Sequence, residues 1–436
     1  MKGKISHECR VIFAACKSAL KSREKLKILN NQVLSHFIIM GLGLMTSALW
    51  ARSVSLELFG YARLATSISD IVGVFCLSGL SESAAISSAR GYHGNFSLLI
   101  RYKFAAGIVG GLAVLGVGCH YFFHGSQETG LAIFILAGLL PFSRLIDVWS
   151  GWMFGAGKLN SILVQQVLNS LLALAGSLVV IGLSLGKNPT AVFLGMFLPG
   201  SICTLIFLGF FYRGSFRANR TVDRGVIAYG VKTSGGSILG SVLMSDRILV
   251  ERYLGVEAVA IYSVATVFSN HAKTAFRMLS RILIPSLYSF RTIQEAWAYL
   301  RPKITMIFSA SVALALLGGA AIYFFIPILY SEKYVQAAHL GAFLWAIIWL
   351  SFAPTLLGVS IMAQRNVLLT NIVGLVYPSI SIGVLWLLLI VLDSTAAMYG
   401  RGIFDLLFFS ILYLAFFCHL YRKPIAKVEE SLDSSR

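Results

Sequence analysis

The sequence predicts an all-α polytopic membrane protein of about twelve transmembrane helices, arranged as two six-helix bundles around a central cavity. Three observations predict this class. Of the 436 residues, 57% are apolar and only 12% are charged, whereas a soluble domain carries about 25% charged residues. The apolar residues fall into runs of about 20, the length that spans a hydrocarbon core. Basic residues recur in alternate loops between these runs, as expected for a multi-pass protein.

Twelve apolar runs are each long enough to cross a bilayer with some tilt. Their predicted bounds are 32–54, 61–81, 103–123, 130–152, 160–184, 190–212, 226–252, 257–280, 303–327, 337–362, 367–392 and 400–421. They divide the chain into a basic N-terminal segment (1–30), a first bundle (31–212), a basic linker (213–225), a second bundle (226–421) and a tail (422–436).

The charge pattern predicts that both termini are cytoplasmic. Residues 1–30 are basic and lack the apolar core and cleavage site of a signal peptide, so this end should stay inside. The segment forms either a basic helix on the inner membrane surface or a solvated tail. The predicted cytoplasmic loops hold Arg90, Arg101, Lys103, Lys158, Arg213, Arg217, Arg220, Arg224, Arg281, Arg291, Arg301, Lys303 and Arg365. The opposite loops hold little beyond Lys187 and Lys333, which sets the orientation.

Two pairs of similar short sequences, which we call echoes, relate the two halves of the chain. Gly-Trp-Met-Phe-Gly-Ala-Gly-Lys at 151–158 ends the fourth run, and Gly-Val-Ser-Ile-Met-Ala-Gln-Arg at 358–365 ends the tenth. Leu-Phe-Gly at 58–60 and Tyr-Leu-Gly at 253–255 each follow the first run of a half. Because an even number of runs separates the echoes, the halves should be parallel repeats, with a substrate site between them near mid-depth.

The sequence offers no metal or nucleotide motif. Its six cysteines are scattered without a CxxC pair or a Cys/His spacing, so we interpret them as packing residues and predict neither a metal nor a cofactor. No GxxxxGK[ST] motif occurs, so the energy source would be an ion gradient, the membrane potential or consumption of the product. The formal net charge of +18 belongs to cytoplasmic loops, and no nucleic-acid partner is predicted.

Ionisable residues inside the predicted runs form the candidate site, because each is costly in lipid unless it is paired or faces water. The predicted lining of a cationic, substrate-binding cavity consists of Arg63, Arg144, Lys232, Arg247, Lys273 and Arg277. Asp70 and Asp147 are candidates for ion coupling, and no residue is predicted to be catalytic. Further ionisable residues in the runs include Glu82, Asp246, Glu251, His271 and Asp405.

Helical spacing in the eighth run predicts a basic stripe. Asn270, Lys273, Arg277 and Arg281 share one helical face over about 16 Å. In one interpretation, this face lines a water-filled cavity for an anionic head group, since Arg and Lys are natural partners of phosphate. Alternatively, Arg277 and Arg281 only reach the cytoplasmic interface by snorkelling.

Two charge pairs have several possible arrangements. Arg144 and Asp147 lie three positions apart, so they form either an intrahelical ion pair or a cavity-facing pair. Arg63 and Asp70 share a face but are too distant to pair directly, so their partners must lie on other helices or be water.

The seventh run combines basic residues with glycines. Lys232 and Arg247 lie about 60° apart around a helix and can share one side. Between them, Gly235, Gly236 and Gly240 offer either close helix packing or a bending point.

Two stretches resemble a known family. Leu-Phe-Gly-Tyr-Ala-Arg-Leu-Ala at 58–65, with Gly-Leu-Ser at 79–81, resembles the second-helix region of Wzx-type flippases. Residues 246–265 resemble that family's Asp-Arg-hydrophobic stretch followed by LGxxAVxxYSxA. The resemblance spans roughly residues 30–420 and places the chain in the superfamily of MATE-type exporters and lipid II flippases. The second-helix motif lacks the usual residue between Gly60 and Tyr61, the basic N-terminal extension is long, and twelve runs differ from the fourteen helices of lipid II flippases.

The resemblance implies a flippase, not an enzyme, in the bacterial inner membrane. Its expected substrate is a polyprenyl-diphosphate-linked oligosaccharide, moved from the cytoplasmic to the periplasmic leaflet for O-antigen or capsule synthesis by alternating access. Membrane lipid and other assembly proteins, such as a polymerase and a chain-length regulator, are expected partners. Two alternatives remain: a cation-coupled multidrug exporter, which favours an acidic, aromatic cavity, and a membrane polysaccharide polymerase, which needs a large outer loop.

Overall fold

The computed structural model describes residues 23–215, 221–234, 245–288, 292–363 and 372–421. This part of the chain is helical and contains no strand. Most of the predicted basic N-terminal segment and nearly the whole predicted tail lie outside the described residues.

The first six crossings contain eight α-helices in the described part of the chain. They are α1 (Arg23–Ser53), α2 (Leu56–Val72), α3 (Leu80–Ala89), α4 (Asn95–His124), α5 (Gln127–Ser143), α6 (Leu145–Gly155), α7 (Leu159–Gly182) and α8 (Pro189–Ser215). Helices α2 and α3 form the second crossing, interrupted by a 3₁₀ turn at Gly73–Cys76, and α5 and α6 form the fourth. Helix α1 begins ahead of the predicted start of the first run at residue 32.

The last six crossings contain another eight α-helices among the described residues. They are α9 (Arg224–Ser234), α10 (Asp246–Leu254), α11 (Val256–Tyr288), α12 (Ile293–Tyr330), α13 (Val335–Leu350), α14 (Phe352–Ala363), α15 (Tyr377–Leu392) and α16 (Ala396–Tyr421). Helices α9 and α10 belong to the seventh crossing, and α13 and α14 form the tenth. Gly235, Gly236 and Gly240 lie outside the described residues, so their role stays a prediction.

Seven helices in the described part are long and apolar enough to cross a membrane, by length and composition. Two shorter apolar helices, Phe37–Ser53 and Tyr377–Leu392, belong to the first and eleventh crossings. The second, seventh and eighth crossings make up the remainder of twelve. These three contain most of the predicted intramembrane charges, which lower their hydropathy.

Short polar residues begin several helices. Ser55 accepts a hydrogen bond from Leu58 N at the start of α2, and Ser126 accepts one from Thr129 N at the start of α5. These caps satisfy backbone N–H groups that a helix start leaves free. Both lie on the side of the bundle where α1, α4, α10, α12 and α15 end. The charge pattern predicts that this side faces the periplasm, and we call it the outer side.

Glycines bring the helices of the first half close together. Gly107 on α4 lies against Pro141 on α5, where an added Cβ would be 2.8 Å from the proline Cα. Gly151 and Gly155 on α6 face the backbone of α3 at Ser81 and Ala85 in the same way. Small residues at these positions allow the backbone-to-backbone approach that packs helices in lipid.

The two halves contact each other on both sides of the membrane. On the outer side, Gly60 on α2 packs against the Val256 carbonyl at the start of α11. On the opposite side, Ser83 Oγ on α3 donates a hydrogen bond to the Val226 carbonyl on α9 at 2.6 Å. Helix α9 thus packs on the first half, whereas α10 packs on α11 and α15 of the second. The seventh crossing therefore connects the two halves.

Candidate functional site

Four charged residues form a cluster in the first half: Asp70, Lys103, Arg144 and Asp147. We call them the N-half cluster. Arg144 Nη2 donates to Asp70 Oδ1 at 2.8 Å, and Lys103 Nζ lies 3.0 Å from Asp147 Oδ2. Two carboxylates face two cations, so the cluster is neutral as a whole. An ion pair of this kind offsets the cost of placing charges at bilayer depth.

The carboxylates of the N-half cluster are its accessible members. Asp70 and Asp147 have 38% and 39% of their side chains exposed, whereas Lys103 is 1% exposed. Lys103 Nζ also lies 3.5 Å from the carbonyl of Leu77, whose φ of 53° ends the 3₁₀ turn before α3. Lys103 therefore neutralises Asp147 and also contacts the Leu77 carbonyl, which accepts a hydrogen bond from Leu80 N.

One sequence expectation about this cluster was wrong, and one of two alternatives is not observed. Lys103 was expected in a cytoplasmic loop but lies buried within α4. The intrahelical pair of Arg144 and Asp147 is not made, because each residue takes a partner on another helix. Gly73 leaves space for the Arg144 side chain to reach Asp70, since an added Cβ at Gly73 would be 2.8 Å from Arg144 Nη2. The expectation that Asp70 has its partner on another helix is confirmed.

A second polar network, which we call the C-half cluster, contains Asp246, Tyr262, Ser381, Arg401 and Asp405. Arg401 Nη1 lies 3.2 Å from Asp246 Oδ2, and Arg401 Nε lies 3.8 Å from Asp405 Oδ2. Tyr262 donates to Asp246 Oδ2 at 2.8 Å, and Ser381 donates to Asp405 Oδ1 at 2.8 Å. The network joins helices α10, α11, α15 and α16.

Arg401 was missed by the sequence reasoning. It lies four positions before Asp405 on α16, a spacing that predicts an intrahelical contact. That spacing could have identified it. Its pairing with Asp246, 155 positions away in the chain, carries no local signal.

Arg63 and Arg247, which we call the interface arginines, differ from the clustered cations. Arg63 Nη2 donates to Ser47 Oγ at 2.9 Å, and its Cζ lies 4.7 Å from the centre of the Phe59 ring. Its buried Nε makes no hydrogen bond with any described residue. Within the described part of the chain, neither arginine has a carboxylate at ion-pair distance.

The interface arginines bring positive charge from both halves to one place. Arg63 lies on α2 and Arg247 on α10, and they are close enough to interact electrostatically. Two like charges repel each other strongly at the reduced dielectric of a membrane protein. An anion between them would relieve this repulsion, so the arrangement favours binding of a negatively charged group.

Lys232, Lys273 and Arg277 were also predicted to line the cavity. Lys273 on α11 interacts electrostatically with Asp405 and so belongs beside the C-half cluster. Lys232 is exposed on α9 and has no ion-pair partner among the residues described. Arg277 is on α11, but its side chain lies outside the described residues.

Contacts between the halves close the outer side near the interface arginines. The rings of Phe59 and Tyr334 meet edge to face with centroids 6.3 Å apart. Tyr121 donates to Glu251 Oε2 at 3.4 Å, and Arg52 donates to the carbonyl of Ile328. We call these contacts, with the Gly60–Val256 contact, the outer closure: Arg52, Phe59, Gly60, Tyr121, Glu251, Val256, Ile328 and Tyr334. Together these contacts join the two halves on the outer side.

Solved structures of transporters share this fold. An inward-facing multidrug resistance MATE family transporter of the MOP superfamily has a TM-score of 0.63 at 15% identity, over 91% of this chain and 96% of that chain. An outward-facing multidrug resistance MATE family transporter of the MOP superfamily has a TM-score of 0.59 at 14% identity, over 91% of this chain and 95% of that chain. A MOP superfamily transporter from Pyrococcus furiosus, described as having a binding pocket of reverse polarity, has a TM-score of 0.56 at 13% identity, over 91% and 94%.

These likenesses confirm the predicted twelve-crossing fold. No curated protein sequence matches the chain. Residues 32–291 match a family described as polysaccharide biosynthesis protein, which confirms the resemblance to Wzx-type flippases. The chain therefore is a multi-pass membrane protein that belongs to this polysaccharide biosynthesis family.

Proposed function

We propose that this protein is a flippase that translocates polyprenyl-diphosphate-linked oligosaccharide repeat units from the cytoplasmic to the periplasmic leaflet, for O-antigen or other surface polysaccharide synthesis. The observation that carries this proposal is the pair of interface arginines. Arg63 and Arg247 lie on α2 and α10, contacting helices of the two halves, and interact electrostatically without a carboxylate partner in the described part of the chain. A transporter that moves an anionic head group needs such unneutralised positive charge on its path.

The chemistry of the interface arginines suits a diphosphate. Each phosphate group carries negative charge, and guanidinium groups bind phosphate oxygens through paired, charge-assisted hydrogen bonds. The oligosaccharide would occupy the space between the halves, while the polyprenyl chain stays in the hydrocarbon of the bilayer. The proposed site thus replaces the hydration that the head group loses on leaving the membrane surface.

The outer closure supports the proposed mechanism of alternating access. In this mechanism, the present arrangement would admit a head group to the interface arginines from the cytoplasmic side. Separation of Phe59 from Tyr334 and of Tyr121 from Glu251 would open the outer side. We place the protein in the bacterial inner membrane with both termini in the cytoplasm. Its proposed partners are a polymerase and a chain-length regulator, which use the translocated product.

We further propose that Asp70 and Asp147 couple transport to an ion gradient. They are the exposed members of the N-half cluster, and each can exchange its cation partner for a proton or metal cation. The test measures flipping of a fluorescent polyprenyl diphosphate sugar in proteoliposomes, with and without an ion gradient. In Asp70→Asn and in Asp147→Asn, the flipping rate with the gradient should fall to the rate without one. The rate without a gradient should stay at the wild-type level. Full gradient dependence in both variants would place coupling elsewhere.

Complementation tests the proposed function. The wild-type gene is expressed in a bacterium that lacks its own repeat-unit flippase and carries the matching sugar-synthesis genes. Restored surface polysaccharide is expected. If a well-expressed protein leaves undecaprenyl-linked repeat units on the cytoplasmic side, the flippase proposal is wrong. Drug-efflux assays in the same strain would then test the exporter alternative.

A further inference from the structure

We infer that Arg401 is a positioning residue for the proposed head-group site. It holds the Asp246 carboxylate and neutralises it, and thereby keeps the neighbouring Arg247 guanidinium available to an anion. The inference rests on the proposed function, because it assigns Arg247 to the head group. Arg401 itself acts through Asp246 and does not contact the substrate.

Both oxygens of Asp246 are occupied by groups other than the Arg247 side chain. Oδ1 accepts a hydrogen bond from the backbone N–H of Arg247 at 2.8 Å, which satisfies a free donor at the start of α10. Oδ2 accepts hydrogen bonds from Tyr262 OH at 2.8 Å and from Arg401 Nη1 at 3.2 Å. Donors other than the Arg247 guanidinium therefore hold both oxygens of the carboxylate.

Arg401 is itself held in place. Its side chain is 12% exposed, and that of Asp246 is 18% exposed. Arg401 Nε donates to Ser381 Oγ at 3.2 Å and lies 3.8 Å from Asp405. Contacts with Ser381 on α15 and Asp405 on α16 thus hold the Arg401 guanidinium where it contacts Asp246 on α10. Such a supporting set of contacts keeps a ligand-binding side chain in its productive orientation.

Charge explains why this arrangement affects the head-group site. A carboxylate beside a guanidinium at reduced dielectric forms an ion pair with it unless another cation satisfies the carboxylate first. Arg401 is that cation for Asp246. Without Arg401, the negative charge of Asp246 would oppose the positive potential of Arg247. The site would then attract a diphosphate less strongly, although no residue at the head group had changed.

Binding of farnesyl diphosphate to the purified full-length protein in detergent tests this inference, with farnesol as the uncharged control. Arg401→Gln should weaken the affinity about tenfold, because an uncompensated carboxylate then lies next to Arg247. Arg401→Lys, which keeps the charge, should stay within about threefold of wild type. Arg301→Gln, which removes an exposed arginine on α12, should bind like wild type.

The decisive variant combines Arg401→Gln with Asp246→Asn. Asparagine can still accept the backbone hydrogen bond through Oδ1 and can donate from Nδ2 to the Tyr262 hydroxyl oxygen, but it carries no charge. Affinity should therefore return to within about threefold of wild type. A purely structural role of Arg401 predicts no such rescue. If Arg401→Gln does not fold, Asp246→Asn alone decides, because it should tighten binding of farnesyl diphosphate.

The outcomes separate the inference from the proposed function. If the wild type binds farnesyl diphosphate no better than farnesol, the head-group site fails and the inference fails with it. If the wild type binds but Arg401→Gln binds equally well, the positioning role alone is overturned. The same holds if the double variant binds no more tightly than Arg401→Gln, or if Asp246→Asn alone weakens binding.

Discussion

Replacing Arg63 or Arg247 with alanine is expected to abolish surface polysaccharide in the complementation strain. Each substitution removes a guanidinium that has no carboxylate partner among the described residues, so its charge is available to substrate. A hydrogen-bonded charge contact is worth about 2 kcal/mol, or roughly thirtyfold in affinity. The measurement is surface polymer on gels, normalised to the amount of protein in the membrane.

Matched substitutions distinguish lost charge from lost fold. Arg63→Lys and Arg247→Lys should keep partial activity, because lysine retains the charge but not the paired hydrogen bonds. Arg301→Ala, at an exposed site on α12, should support normal polymer. If both interface alanine variants make wild-type amounts of polymer, the head group does not bind at this pair.

Gly60→Leu is expected to prevent the outer closure and to eliminate transport. An added Cβ at Gly60 would overlap the backbone carbonyl of Val256, and a backbone atom of a packed helix cannot move aside as a flexible side chain can. The halves should therefore stay apart on the outer side. Surface polymer should be lost although the protein reaches the membrane in normal amounts.

Labelling from the outer side measures the same effect directly. In a cysteine-free background, Ser263→Cys places a thiol on α11 at a position that is 3% exposed, about 10 Å along the helix from Val256. A membrane-impermeant maleimide should react with it much faster when Gly60→Leu is also present. Gly43→Leu is the matched control, since nothing lies within 4 Å of an added Cβ there. Equal labelling in both backgrounds would contradict the proposed role of Gly60.

The crossings could be predicted from the sequence because hydropathy and length are local properties. The twelve predicted runs correspond to crossings in the structure, apart from segments outside the described residues. The breaks within crossings were harder to predict. Ser143 ends α5 near Pro141, a recognisable signal, but Leu77 adopts a left-handed backbone in a run that reads as continuous.

Helical spacing predicted part of the site correctly. It placed Arg63 and Asp70 on one helical face and required their partners to lie on other helices or to be water. In the structure, Ser47 is the partner of Arg63 and Arg144 is the partner of Asp70. Helical spacing could not identify those partners. Their positions depend on which helices pack together and on where a glycine such as Gly73 leaves space for a long side chain.

The sequence by itself determined that this protein resides in a membrane, how many times it crosses, and which charges lie within the crossings, because each follows from composition and spacing along the chain. Only the tertiary structure decided which of those charges cancel. Lys103, Arg144 and Arg401 are neutralised by carboxylates, whereas Arg63 and Arg247 are not neutralised within the described part of the chain. The physical reason is distance: an ion pair forms within about 4 Å, and helices far apart in the chain meet at that range only after folding.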